Sequence, residues 1–324
     1  MPKSNTKSKN HSKPKRDIAK EITDRMITAI KAGTPPWNKP WNGGAAVLPL
    51  RHTGERYTGI NVLALWDEMD IRSYENPRWM TFRQAQQLGG AVRKGETSTG
   101  IVYYGTSKKT IEVDVDKDDD GEEVETARRF LKHYNVFNVD QIDGLADEFY
   151  QFAGSEVSKT PPASALSAFF ESIGADIRHG GDRAFYRPFG DYIQMPRYGA
   201  FDDPYGYFST LAHEHIHLTG AKSRLDRFPV KRDQEATAFE ELIAEIGAAM
   251  LGAELGLAPD HIEDHSAYVA SWLKALRGDT RYILKAAAAA QRACDWLMDA
   301  AREGGFDASI LKPLDDAGLA AVAA

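Results

Sequence analysis

Cysteine is almost missing from this chain: Cys294 is the only one in 324 residues. No disulfide can close within it, and a lone thiol fits a reducing compartment. Long apolar runs are missing too. The run near Ala286–Ala290, like every other, falls far short of the roughly 20 apolar residues that span a bilayer. Residues 1–16, MPKSNTKSKNHSKPKR, hold six Lys and Arg, no acid and no apolar stretch. They lack the apolar core of a secretory signal and are expected to form a disordered basic arm. These absences point to a cytoplasmic protein with no membrane partner.

What is present is ample apolar material, at 42% hydrophobic and 10% aromatic residues. That is enough for the cores of two ordinary domains. The net charge of −7 is unevenly spread. Residues 1–110 carry 19 Lys and Arg against 9 Asp and Glu, while residues 111–324 carry 21 against 38. A basic front on an acidic body suggests a polyanionic partner for the front.

The most informative stretch is Thr210-Leu-Ala-His-Glu-His-Ile-His-Leu-Thr219, which contains H-E-x-x-H as His213, Glu214 and His217. On a helix, positions i and i+4 lie about 40° apart around the axis, so both histidines can hold one zinc ion. Glu214 can then act as general base toward a water. His215 points nearly the other way and reads as structural. A catalytic zinc needs a third protein ligand. A second helix begins near Gln234, with Phe239, Leu242, Ile243, Ile246 and Met250 as its core stripe. It carries Glu241 and Glu245 together on another face, and Glu241 lies 24 residues after His217. Periodicity alone leaves open which of the two is the ligand. His261 and His265 are also spaced i, i+4, but have no evident third ligand and read as surface residues.

In chain order, Asp17 caps a helix to Ala32 with Ile18, Ile22, Met26, Ile27 and Ile30 inward. Thr34-Pro-Pro-Trp-Asn-Lys-Pro-Trp follows, in which Trp37 and Trp41 flank Lys39. Exposed, such a loop can stack on unpaired bases and meet a phosphate; alternatively each tryptophan covers the core. Arg51, Arg56 and Tyr57 lie in a turn leading to an apolar helix through Trp66. Trp79 precedes Thr81, a helix N-cap with Gln84 three residues on; Arg83 sits in that helix, and Arg93-Lys94-Gly95 forms a basic turn. Strands are expected at Thr99–Tyr104, Thr110–Val115 and Arg128–Asn138, with the acidic run Asp116–Glu125 as a hairpin loop. The predicted organisation is an arm at 1–16, an α+β domain at 17–144, a linker at 145–162 ending in Thr160-Pro161-Pro162, and a mostly helical domain at 163–324. In the last, a helix over 163–174, a hairpin over Asp182–Arg197 and helices at 266–277 and 279–302 are expected.

The stretches DIAKEITDRMITAIKAGTPPWNKPW, GINVLALW, PRWMTFRQAQQLGGAVRKGE and HYNVFNVDQIDGL strongly resemble the ArdC-like antirestriction proteins of conjugative plasmids. STLAHEHIHLTG, EELIAEIGAAMLGAELGL and YVASWLKAL resemble the zincin-like metallopeptidase domain joined to that module. The resemblance covers nearly everything past Asp17. It implies an α+β single-stranded-DNA-binding domain followed by a mostly helical zincin with a small sheet. It also implies a hairpin at the cleft edge that pairs with an extended substrate. Glu241 becomes the third ligand to Zn2+, or to another divalent ion such as Mn2+, and Glu245 holds a ligating histidine in place. Trp37, Lys39, Trp41, Arg51, Arg56, Tyr57, Trp79, Arg83, Arg93 and Lys94 are the candidate DNA contacts. The implied role is protection of incoming DNA from host restriction, with single-stranded DNA and a protein substrate as partners. The rival is a working zinc protease that DNA localises. A cytosolic peptidase with an unrelated basic lobe sits poorly with the basic front.

Overall fold

In the computed structural model, residues 17–35, 37, 47–112, 123–151, 161–230, 233–257 and 266–311 are described. Helix α1 (Ile18–Lys31) starts at Asp17, whose carboxylate accepts from the Lys20 amide at 3.1 Å. It buries Ile18, Ile22, Met26 and Ile30. Strand β1 (Leu50–Arg51) leads to α2 (Ile60–Arg72). That helix outruns Trp66 by nearly two turns, because Arg25 of α1 binds Asp67 and Glu68 on its polar side. Strand β2 (Arg78–Met80) and α3 (Phe82–Gln87) follow, joined by the expected Thr81–Gln84 capping box.

Next come β3 (Ala91–Val92), β4 (Thr99–Glu112), β5 (Glu123–Asn138) and β6 (Ile142–Asp143). The main sheet has the order β1-β2-β5-β4, with β1 parallel to β2 and the other pairs antiparallel. The hairpin differs from expectation. It is one long ladder from Thr99↔Val136 to Glu112↔Glu123, not two strands broken near Gly105. Backbone hydrogen bonds carry a ladder through charged positions that side-chain alternation does not reveal. Residues 123–125, expected in a loop, therefore belong to β5. The first unit also extends past Gly144. Leu145 is buried with Met80, Ala85, Val139 and Ile142, and Phe149 of α4 (Asp147–Tyr150) packs on the same cluster.

The second half opens with α5 (Ala163–Ser172) and a small sheet of β7 (Asp176–His179), β8 (Phe185–Arg187) and β9 (Tyr192–Met195). Its order is β7-β9-β8, so β8 is an edge. Helices α6 (Pro204–Leu218), α7 (Gln234–Leu255), α8 (Ser266–Gly278) and α9 (Tyr282–Glu303) complete it. Pro204 occupies the first turn of α6, where its missing N–H is harmless. Asp233 caps α7, and Gly256 ends it with φ +74°. The two halves share a core: residues of α1 and α2 belong to one apolar cluster with those of α5 to α9. The Thr23 hydroxyl donates to the Thr280 carbonyl at 2.7 Å, and the Gly59 amide to Gln291 Oε1 at 3.0 Å. No helix among the described residues is long and apolar enough to cross a membrane.

Candidate metal centre

Helix α6 is buried nearly all round, so its polar residues sit inside the protein. His213, Glu214 and His215 are all almost fully buried. The helical repeat brings His213 Nε2 and His217 Nε2 to 3.1 Å of each other. Across from them α7 presents Glu241, whose Oε2 lies 3.6 Å from His213 Nε2 and 3.5 Å from His217 Nε2. These three are the only group of His, Cys, Asp or Glu able to hold a metal among the described residues. Bonds of 2.0–2.1 Å in a tetrahedral shell put ligand atoms about 3.3 Å apart. The donor set therefore fits one divalent ion.

The electrostatics agree. Burial alone would push His217 down, but hydrogen bonds to Glu240 and Glu241 hold it well above its ordinary value. Burial would likewise raise Glu241, yet contacts with both histidines hold its carboxyl well below the usual range. The carboxylates that hold a proton on His217 set up a negative potential at this point, and a cation that displaces that proton would be stabilised in the same way.

A supporting layer orients the ligands. Glu245 Oε1 lies 3.6 Å from His213 Nδ1. Glu240, unmarked in the sequence reading, accepts from His217 Nδ1 at 3.2 Å. Arg227 clamps that carboxylate with Nε to Oε2 at 2.8 Å and Nη2 to Oε1 at 2.7 Å. Its guanidinium also reaches the Ile216 carbonyl and the Thr219 hydroxyl, tying the loop after α6 back onto the helix. Glu240 is adjacent to Glu241 in the sequence, which is the one signal that could have raised it. Arg227 lies in a loop with no periodicity to mark it. His215 is structural, as its position on the helix suggests. Its Nδ1 donates to the Leu211 carbonyl at 2.7 Å, its ring packs 4.8 Å from that of Phe170, and burial pushes it down to about 4.

Glu214, His217, Glu240 and Glu241 line an open cleft of about 200 Å³, faced by Arg183, Phe185 and Tyr186 from the β8 region. The Tyr186 hydroxyl donates to Asp191 at 2.7 Å, and Arg224 grips that carboxylate with both Nη atoms. Burial and this bond lift Tyr186 to about 12, so its proton stays on at neutral pH.

The candidate DNA residues divide. Trp37, Tyr57 and Trp79 are core residues, at most 6% exposed, so the expectation that their rings meet bases is corrected: packing covers the faces. Arg51, Arg83, Arg93 and Lys94 are exposed. Arg56 pairs with Glu254 of α7, and Arg93 with Glu96 and Asp143. Lys39, Trp41, His261 and His265 lie outside the described residues. Tyr103 and Tyr134, which the sequence reading passed over, are exposed on the hairpin, 48% and 44%.

Residues 16–137 match the family described as the N-terminal domain of anti-restriction factor ArdC, and residues 164–289 the zincin-like metallopeptidase family. The crystal structure of the antirestriction ArdC protein from the R388 plasmid, metal-free, is 47% identical and superposes with a TM-score of 0.75 over 89% of this chain and 99% of that one. Its Mn(II)-bound form, also 47% identical, superposes with a TM-score of 0.73 over 88% and 98%. The uncharacterized protein y4eC of Sinorhizobium fredii is 38% identical across 87% of this chain and 91% of its own length. The DNA primase TraC of Escherichia coli is 39% identical over 88% of this chain, which spans only 27% of that longer protein.

Proposed function

Since the chain belongs to the ArdC family of antirestriction proteins, with a zincin-like second half, we propose that it protects incoming DNA by binding single strands through its first unit, and that His213, His217 and Glu241 hold a divalent ion, zinc or manganese. The convergence of those three donor atoms within 4.8 Å of one another is the observation that carries the metal assignment. The basic balance of residues 1–110 supports a nucleic-acid partner.

A bound divalent ion would supply Lewis acidity toward a carbonyl. The chain's own residues do the rest. Glu240 fixes the His217 ring through its Nδ1 atom, and Glu245 stands 3.6 Å from the Nδ1 of His213. Glu214 offers a carboxylate at the cleft wall that can take a proton from an attacking water. Tyr186 lines the opposite rim with its hydroxyl hydrogen committed to Asp191, which fixes that wall of the cleft. The edge strand β8 leaves a backbone row on which an extended peptide could add.

Glu214 favours a second reading, in which proteolysis is the main activity and DNA localises it. A purely structural metal site needs ligands but no base. A transfer assay separates the two. Unmodified DNA entering a restricting host should survive better when the protein is present. Under the DNA-binding reading, Glu214→Ala protects as well as the wild type; if protection disappears with that single change, hydrolysis is the function.

A further inference from the structure

A second, larger concavity of about 590 Å³ lies where the first unit meets α9. That volume is within the usual range for ligand sites, roughly 300–1,000 Å³. One wall is the exposed face of the hairpin. The register pairs Ile101 with Tyr134 and Tyr103 with Lys132, so these four side chains share one face of the ladder. Tyr103 and Tyr134 lie with ring centroids 6.3 Å apart at an interplanar angle of 79°, and both are about half exposed. Arg51, also exposed, lies on the rim with its guanidinium 5.5 Å from the Tyr57 ring centroid. The opposite wall is α9, through Leu284, Ala288 and Gln291. Among the described residues, Glu55 is the one acid lining the groove. The metal cleft, by contrast, has Glu214, Glu240 and Glu241 against Arg183 in its lining.

We propose that this groove between the hairpin face and α9 is the seat for single-stranded DNA, with bases stacking on Tyr103 and Tyr134 and Arg51 and Lys132 meeting phosphates. This rests on the single-strand reading above and locates it on the molecule. Half-exposed tyrosines flanked by cations are the elements that single-strand binders use, because every base offers a π-face. A duplex keeps its bases stacked inside and cannot offer them to the two rings. The groove also makes the site a joint property of both halves, since α9 supplies one side of it.

The test uses the full chain and a fluorescent oligo-dT, read by anisotropy at two salt concentrations. Tyr103→Ala and Tyr134→Ala should each weaken binding about ten- to a hundredfold, and Arg51→Ala should flatten the salt dependence. Ala288→Glu, an exposed helix position, should also weaken it by placing a negative charge beside the strand. Photocrosslinking of a bromodeoxyuridine oligomer to the wild type gives an answer independent of any variant's folding, and should label peptides containing Tyr103 or Tyr134. If the wild type binds but the tyrosine variants are unchanged and crosslinks map elsewhere, the groove is not the seat. If only Ala288→Glu is without effect, the seat is on the hairpin alone and not between the halves. Equal losses on duplex and single strands would overturn the single-strand commitment. Failure of the wild type to bind any single strand would instead defeat the underlying reading.

Discussion

His217 is held at both ring nitrogens. Nε2 faces His213 and Glu241, and Nδ1 faces Glu240, which Arg227 grips with two hydrogen bonds. A ligating imidazole fixed in this way does not have to be ordered when the ion arrives. Removing such a support typically weakens a metal site about 10–100-fold. Glu240→Ala should therefore lower divalent-ion affinity by that factor, as read in competition with a fluorescent chelator. Arg227→Ala should do the same and also destabilise the fold, because it strands the nearly buried Glu240 carboxylate without its cation. Unchanged affinity in Glu240→Ala would mean that His217 is positioned by its helix alone. Legibility at this scale follows spacing. The i, i+4 pair was readable because the helix repeat converts four residues into one face. Arg227 was not, because its role is set by a tertiary contact across the loop. Trp37 was open to two readings and Trp79 stood among the candidate contacts, since a tryptophan that caps a core and one that stacks on a base look alike in sequence.

Helices α6 and α7 can bring their carboxylate and imidazoles together only by approaching closely. Gly247 makes that possible: a Cβ there would stand 2.8–3.0 Å from three atoms of the Ile216 side chain. Gly247→Ala is accordingly expected to lose about 1–3 kcal/mol of stability from overpacking, and to weaken metal binding by moving Glu241 away from the histidines. Thermal melts and a metal titration on the same sample check both. A stabilised melt would mean that Ile216 yields and helix propensity wins. In the sequence the glycine stands in a run of small residues, Gly247-Ala248-Ala249, of a kind that suits close packing, while its partner on α6 carries no such mark. Elements with a chemical end marker were read almost to the residue: Asp17 before α1, Thr81 with Gln84 at α3, and the start of α7 at Gln234. The hairpin was not, because its outer half is paired through the backbone at positions where charged side chains hide the alternation.

The halves of the molecule are joined by burial as well as by chain. Ile22, Met26 and Trp66 belong to the same apolar cluster as Trp272, Leu284 and Ala287. Two independent domains would each close their own core. This chain should instead melt in one cooperative transition, with circular dichroism and tyrosine fluorescence giving the same midpoint; two separated midpoints would show that the shared cluster contributes little. The expectation of two units in this order holds, yet composition could not foresee that α1 and α2 pack onto α8 and α9, since apolar faces do not name their partners. The proposed metal centre rests on this shared core, and a calorimetric titration of the metal-stripped full chain with Zn2+ or Mn2+ tests it most directly. The wild type should bind one ion per chain, the double change His213→Ala and His217→Ala should bind none, and Glu241→Ala should lose far more affinity than Glu245→Ala. Retention of full affinity by Glu241→Ala, with loss in Glu245→Ala, would contradict the assignment.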